Sequence, residues 1–334
     1  MRRLWTVLGT SLFAGMAASL SSAAINPEPS GDLAPGHRVV FHYHSNFLLN
    51  LHHFLFDAAT HDEKLANEAW SQPPNAAEME ELRDSVALYR TDYAERNLLF
   101  DQELSDIKEK LSADDTSRSV AELDLPPPLK DALERAAPIY ARCLWTAQNS
   151  INRDWIDRVQ VLDASYGSEI QAEIEHYLAH PFVTEPVRVD VVVETGDRNG
   201  AYTTADPPHS VLPSGRVDYQ GLAALEMLYH ESSHAHVTDT MRAAIDAELA
   251  ASHRPGRLAL WHAVQFYTVG AVVQSVLKRR GDLDYQPYAD RNGVYHGSWS
   301  GFRELIDAYW RPYMQGDLDM ATAITDMVAH LPTP

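Results

Sequence analysis

The sequence predicts an α+β protein in which helices predominate. Segments such as 76–111 and 129–161 show the apolar spacing of three and four residues that is typical of amphipathic helices. A β-branched run at 187–193 predicts a strand, and a segment of strong helix formers with a short histidine motif follows it. We therefore expect a helical N-terminal region at 37–180, followed at 181–330 by a region that contains both strands and helices.

The beginning of the chain has the pattern of an export signal. Two arginines near the start precede an apolar stretch at 4–20, and small residues at 22–24 match the positions that a signal peptidase recognises. Because the apolar stretch is short and contains several polar residues, a cleaved signal peptide at 1–24 is favoured over a membrane anchor. With 25–36 as a linker, the mature protein is expected to be exported, periplasmic or secreted, and to have no stable membrane anchor.

Helical segments follow in order before the strand. Residues 76–111 are expected to form one or two surface helices, because charged and apolar positions are mixed there at helical spacing. Three consecutive prolines at 126–128 end that part of the chain. A long helix is expected from about Leu129 to Val161, and a second from Tyr166 to Ala179, ending before Pro181.

Short extended segments lie between the first strand and the motif. After that strand and a turn at 196–200, residues 201–204 and 210–212 predict two further strands separated by prolines. A helix then begins near Gly221. Beyond a break that contains proline and glycine, an apolar helix is expected from about Leu258 to Arg280.

The sequence HESSH at residues 230–234 is the most informative motif in the chain. Side chains four residues apart lie on the same face of a helix, so His230 and His234 can bind one metal ion. Glu231 can then take a proton from water at the open coordination position, as in the HExxH motif of zinc-dependent hydrolases. Short motifs also occur by chance. Here, however, apolar residues at helical spacing indicate a buried face, where two histidines and an acid without a partner would be unfavourable.

The order of elements around the motif resembles that of the zincin metallopeptidases, with a strand, a turn, short strands, a loop and the HExxH helix over roughly residues 180–280. The resemblance implies a small twisted sheet packed on the motif helix, with its edge strand lining the cleft. It also implies zinc as the cofactor and a peptide or protein substrate, which adds to that edge as an extended strand. Residues 181–330 are therefore expected to form a zincin-like catalytic region.

The third metal ligand does not follow directly from the family patterns. Metzincins have a histidine six residues after the motif, where this chain has Thr240. Gluzincins, which the chain resembles more, have a glutamate on the following helix, and exported HExxH proteins often have it after a glycine. Ala271 occupies that position, and the helix contains no acid before residue 275. His262 on this helix is then the best candidate, because an imidazole is as good a zinc ligand as a carboxylate.

His262 can reach the motif only if the motif helix ends or bends near Val237–Thr240, where β-branched residues and an aspartate weaken helix propensity. One straight helix would leave His262 too far away. The reserve ligands are Asp239, Asp246, Glu248 and His253. Tyr267, on the helix of His262, could stabilise an oxyanion with its phenol or pack in the core.

Histidines outside the motif have several interpretations. His52 and His53 would point about 100° apart on a helix, so one of them could bind a substrate carbonyl in the cleft, or both could be structural. His236 is expected to point away from the metal. Tyr295 and His296 are further candidates for a donor in the cleft.

Composition argues against several classes of function. The formal charge of −20 argues against nucleic acid and anionic membrane partners. Cys143 is the only cysteine, so no internal disulfide forms and stability depends on the core. Ser232 and Ser233 stand beside histidines, but adjacency on a helix does not make a catalytic triad, so a serine hydrolase is rejected.

We therefore expect an exported zinc-dependent hydrolase, a metallopeptidase in which His230, His234 and His262 bind one Zn²⁺ and Glu231 is the general base. One alternative is a catalytically inactive zinc-binding or interaction protein of the cell envelope. Another is a helical envelope protein in which HESSH is accidental. Metal analysis separates the last of these from the other two.

Overall fold

A computed structural model describes residues 37–61, 63–196, 200–254, 259–281 and 284–331. The described part is mostly helical with a four-stranded sheet, which confirms an α+β class in which helices predominate. The predicted signal peptide and linker lie outside the described residues, as do Asp197–Asn199 of the predicted turn. Among the helices of these described ranges, none combines the length and the apolar character that a membrane span requires.

The sheet is mixed and takes strands from both halves of the chain. Its strands are Phe41–His44 (β1), Val187–Val192 (β2), Tyr202–Thr204 (β3) and His209–Pro213 (β4). β1, β2 and β4 run parallel, and β3 pairs antiparallel with β4 at the edge, so the order is β1-β2-β4-β3. The three strands predicted between residues 187 and 213 are confirmed. β1 lies just before the first helix and joins the N-terminal part of the chain to the sheet.

Helices fill most of the chain before β2. They are Phe47–Thr60 (α1), Lys64–Asn67 (α2), Ala76–Asp92 (α3), Gln102–Ser112 (α4), Pro127–Tyr140 (α5) and Thr146–Leu178 (α6), with a π-helical segment at Ala141–Trp145. Polar side chains begin several of them, since an unpaired N–H at a helix start needs an acceptor. The Asn46 side chain accepts from the Leu49 N–H at the start of α1, and Asp101 begins α4 in the same way.

Helix α6 is continuous where the sequence predicts two helices. We expected a break between Val161 and Tyr166, and that prediction is wrong. Gly167 packs so closely that a Cβ atom there would collide with the side chains of Asp163 and Tyr229. The Tyr229 hydroxyl also donates a 2.6 Å hydrogen bond to Asp163 Oδ1. This tertiary packing stabilises the helix despite the weak helix propensity of the segment.

The chain after the sheet is again helical. Its helices are Leu222–Ser233 (α7), Asp239–Ala251 (α8), Leu260–Arg280 (α9), Tyr288–Arg291 (α10), Phe302–Leu305 (α11), Arg311–Met314 (α12) and Met320–Ala329 (α13), with a π-helical segment at Ile306–Trp310. The bend that we predicted near Val237–Thr240 is confirmed, because α7 ends before it and α8 begins within it. The apolar helix predicted to end at Arg280 is confirmed as α9.

Two hydrophobic clusters lie on opposite faces of the sheet. Val191 and Leu212 belong to the cluster of α6, α7 and α9, whereas Val192 and Val211 belong to that of α1, α3, α4 and α5. Neighbouring residues of a strand point to opposite faces, so the sheet separates the clusters. Trp155 of α6 lies in the first cluster, and the N-terminal helical region therefore shares a core with the motif helix.

Candidate metal centre

Helix α7, which carries the motif, is buried along almost its whole length. It begins after Gly221, whose φ of 59° is a conformation that favours glycine. Every residue from Ala223 to Ser233 is buried. The hydroxyls of Ser232 and Ser233 donate to backbone carbonyls three or four residues earlier in the helix. The two serine hydroxyls of the motif thus bond to the backbone of their own helix.

A tight turn after the motif separates α7 from α8. His236 has a φ of 70°, a left-handed conformation that residues other than glycine rarely adopt. Its Nε2 atom lies 3.1 Å from Asp206 Oδ1, and its Nδ1 atom lies 2.8 Å from Asp239 Oδ2. The His236 side chain is 36% exposed and contacts these carboxylates rather than the motif. The turn changes the direction of the chain and allows α9 to pack against α7.

Three histidines from two helices converge at the end of α7. One side-chain nitrogen from each of His230, His234 and His262 lies within 4.8 Å of the other two. The Nε2 atoms of His230 and His262 are 3.4 Å apart. Two nitrogens bound at about 2.0–2.1 Å to one tetrahedral ion would be about 3.3–3.4 Å apart. The donor set therefore fits a transition metal ion, and no pair of nitrogens would have to close by more than about 1.5 Å on binding.

Burial keeps the three imidazoles in the neutral form. Burial, and then the charges of His234 and His262, hold the pKa of His230 well below its ordinary value. Burial, and then the charges of His262 and Arg242, lower the pKa of His234 in the same way. Burial lowers the pKa of His262 to about 4. Because neutral imidazole is the form that binds a metal, no proton has to be displaced near pH 7.

Aromatic rings surround the three histidines. Phe266 stacks on the His230 ring with centroids 3.7 Å apart, and Trp261 stacks on His262 at 5.1 Å. Trp299, from a short 3₁₀ turn, meets the His262 ring edge-on at 5.2 Å. The rings restrict the orientation of the imidazoles. Trp261 and Phe266 are one residue before and four residues after His262, so the sequence could have indicated them, whereas Trp299 has no such local signal.

Glu231 lies beside the first histidine and is almost fully buried, with 4% of its surface exposed. Its Oε2 atom accepts a 3.0 Å hydrogen bond from Thr203 Oγ1 of β3. Burial raises the pKa of Glu231 to about 8, and the hydrogen bond from Thr203 opposes the rise. A divalent cation bound by the histidines would lower this pKa again, because positive charge favours the carboxylate. Glu231 can therefore exchange a proton near neutral pH.

The structure does not bring every predicted residue to the three histidines. The Tyr267 hydroxyl donates to Asp307 at 3.4 Å, and Arg303 lies over its ring. In the described part of the chain, no hydrogen bond or ring contact joins Tyr267 to the three histidines, so the structure gives no support to an oxyanion role for Tyr267. The reserve ligands do not belong to the three-histidine group either; they are Asp239, Asp246, Glu248 and His253.

The early histidines are core residues. His52 Nδ1 lies 2.8 Å from the Tyr89 hydroxyl, and His53 Nε2 lies 3.1 Å from the Tyr202 hydroxyl. Both rings are fully buried, and burial lowers the pKa of His52 to about 4. They therefore fit the structural interpretation, on the face of the sheet opposite the motif helix.

Two buried polar residues that the sequence did not single out fix the position of α7. Gln265 of α9 donates a 3.0 Å hydrogen bond from Nε2 to the His230 carbonyl. Glu226, one turn before His230, accepts from the Tyr285 hydroxyl at 2.5 Å and from the Tyr288 N–H at 3.0 Å. Burial raises the pKa of Glu226 to about 7. In the sequence both residues resemble ordinary helix formers, which gives no signal of burial.

No family model matches the sequence, no curated protein matches it, and no solved structure matches the fold. Any inference about function therefore depends on the residues of this chain.

Proposed function

We propose that the protein is a zinc-dependent hydrolase, and more specifically a metallopeptidase. The observation that carries the proposal is the convergence of His230, His234 and His262 beside the buried Glu231. Three protein ligands with one open position are typical of catalytic zinc sites. Zn²⁺ bound there would polarise a substrate carbonyl and lower the pKa of water.

Glu231 moves the proton in this proposal. Thr203 is the hydrogen-bond partner of its Oε2 atom, and no described residue is bonded to the other oxygen, Oε1. Oε1 can therefore accept the proton of the attacking water, and the carboxylic acid then donates it to the leaving amine. The low-dielectric surroundings strengthen each of these interactions.

The sheet supports a peptide as the substrate. In the described part of the structure β3 is an edge strand, and it carries Thr203, the partner of Glu231. A peptide that added to this edge as an extended strand would pass close to the general base. A zincin-like arrangement of residues 181–330 is therefore part of the proposal.

A second candidate is a zinc-binding protein of the cell envelope without turnover. One observation favours it. Histidines that bind zinc usually donate their second ring N–H to an acceptor, yet His230 Nδ1 has no hydrogen-bond partner among the described residues. An unpaired N–H would make His230 a less basic ligand and the zinc site a weaker one.

The metal content of the purified mature protein is the first test. We expect about one zinc per chain by elemental analysis, and none after dialysis against a chelator. Hydrolysis of a peptide mixture should require that zinc and return when zinc is restored. A protein that never binds a metal would contradict both candidates, and HESSH would then be accidental.

The Glu231→Gln variant tests the general base, and the activity of the wild type separates the two candidates. An amide cannot accept the proton, so we expect hydrolysis to be lost while one zinc per chain remains bound. Glu248→Gln on α8 is the control and should keep both properties. Full activity of Glu231→Gln would exclude Glu231 as the base. Zinc binding by a wild-type protein that hydrolyses no peptide would favour the second candidate.

We also propose export, on the basis of the signal-like pattern at 1–24. Amino-terminal sequencing of the protein isolated from its native cells should begin near residue 25. A mature chain that still begins at Met1 would contradict the proposal.

A further inference from the structure

We propose that Thr203, supported by Ser210, is a positioning residue that fixes the Glu231 carboxylate for its role as the general base; this inference rests on the proposed function. Thr203 Oγ1 lies 3.0 Å from Glu231 Oε2 and 2.9 Å from Ser210 Oγ. All three side chains are buried: Thr203 is 5% exposed, Glu231 is 4% exposed and Ser210 is fully enclosed. The chain of hydroxyls thus ends on the carboxylate.

The protons available on these groups determine which of them donates in each hydrogen bond. A threonine hydroxyl donates one hydrogen bond, and a carboxylate oxygen can only accept. When Glu231 is ionised, as a general base must be, Thr203 donates to Glu231 and Ser210 donates to Thr203. A hydroxyl that accepts one hydrogen bond is a stronger donor in the next, so Ser210 strengthens the bond to Glu231.

The pairing of two strands places both hydroxyls on the correct face. Thr203 and Ser210 are directly opposite each other in the antiparallel pair of β3 and β4. Because side chains alternate along a strand, the neighbouring residue Thr204 points to the other face, where its hydroxyl accepts from Lys108 Nζ at 2.7 Å. Only Thr203 on β3 thus reaches Glu231.

The hydrogen bond from Thr203 leaves one oxygen of the Glu231 carboxylate, Oε1, available to accept a proton. A carboxylate on a flexible glutamate side chain can rotate, and a general base must stay within hydrogen-bond reach of its proton donor. By binding Oε2, Thr203 selects one rotamer and leaves Oε1 available. Its effect should therefore be on the rate of the chemical step rather than on the binding of zinc or substrate.

Variants at residue 203 test this role in the zinc-containing protein. Thr203→Val keeps the shape and removes the hydroxyl, and we expect kcat to fall about 10- to 100-fold, with KM within about threefold and zinc content unchanged. Thr203→Ser restores a hydroxyl and should recover most of kcat. Thr204→Val is the matched control on the opposite face and should keep kcat within about twofold. Ser210→Ala should lower kcat by a smaller factor than Thr203→Val does. This variant tests the contribution of Ser210 in a protein that keeps Thr203.

Crystal structures of the zinc-free proteins give a second measurement that needs no activity. We expect a single conformation of the Glu231 carboxylate in the wild type and in Thr203→Ser. In Thr203→Val we expect the carboxylate to be displaced or to occupy two alternative conformations. An unchanged carboxylate position, or an unchanged kcat, in Thr203→Val would overturn the inference. A wild type that hydrolyses no peptide would overturn the proposed function instead, and the crystal structures would still decide whether Thr203 fixes Glu231.

Discussion

The Nε2 atoms of His230 and His262 lie 3.4 Å apart although 32 residues separate the two histidines in the chain. The contact exists because α7 stops at Ser233 and the turn at His236 changes the direction of the chain before α9 returns. If α7 and α8 formed one straight helix, an antiparallel α9 would place His262 near Asp246. The turn therefore creates the three-histidine group.

Removal of His262 should weaken metal binding strongly. We expect His262→Ala to lower the affinity for Co²⁺ by roughly 100-fold or more, because two imidazoles alone leave a four-coordinate ion with half of its positions to water. The fluorescence of Trp261 and Trp299 measures binding, since their rings lie 5.1 and 5.2 Å from the His262 ring and a paramagnetic ion there should quench them. His253→Ala, at an exposed histidine, is the control. Equal affinity of the His262→Ala protein would place the third ligand elsewhere.

The parts of the fold that depend on local spacing could be predicted from the sequence. The strand at 187–192 follows from a β-branched run, and the bend after the motif follows from β-branched residues and an aspartate that weaken the helix. The break predicted before Tyr166 also depends on local propensity, and it is wrong because tertiary packing outweighs the weak helix propensity there. The contacts of Gly167 with α7 involve a residue 62 positions away, which local spacing cannot reveal.

The residues of the candidate site also include some that local spacing predicts and others that it does not. His230 and His234 are one helical turn apart, so their common face follows from the motif alone. His262 could be proposed because the bend and an apolar helix were both visible in the sequence. Thr203 could not, because its contact with Glu231 requires knowledge of which strand lies at the edge of the sheet and which face meets α7. Contacts between distant elements depend on topology rather than on residue type.

Glu226 should make stability depend on pH. Its pKa is raised from 4.5 to about 7 by burial, so the folded state retains a proton that the unfolded state releases, and stability is lost as pH rises from about 4.5 to about 7. Glu226→Gln removes this titration and still accepts from Tyr285 and Tyr288. Relative to the wild type, we expect the variant to gain about 1–3 kcal/mol between pH 5 and pH 8.

Urea unfolding of the metal-free proteins at pH 5, 6.5 and 8 measures this difference. The control is Glu248→Gln, which replaces a half-buried carboxylate of α8. A difference for Glu226→Gln that grows with pH no more than that of the control would show that Glu226 is ionised throughout, and that Tyr285 and Tyr288 compensate fully for its burial.

Gly270 should not tolerate a side chain. A Cβ atom at this position would lie 2.8 Å from Pro287 Cβ and 3.1 Å from Glu226 Oε1. Alanine is the better helix former, by about 1 kcal/mol, but we expect Gly270→Ala to destabilise the protein by about 1–3 kcal/mol overall because of the collision. Thermal unfolding measures the effect. In a Pro287→Gly background the loss should shrink, whereas in Pro287→Ala it should persist, and equal losses in the two backgrounds would contradict the explanation.

We expect the turn at His236 to affect both the stability of the fold and the affinity of the histidines for a metal ion. His236→Ala and His236→Gly both remove the ring contacts with Asp206 and Asp239, but only alanine retains an unfavourable φ of 70°. We expect the glycine variant to be more stable than the alanine variant by about 1 kcal/mol in chemical unfolding. His253, with a φ of 56°, is the matched control: its glycine and alanine variants should differ similarly in stability, yet neither should change Co²⁺ affinity. Both His236 variants should lower that affinity, because the ring contacts with Asp206 and Asp239 hold the turn that places His234. Unchanged affinity in both would show that these contacts do not help the histidines to converge.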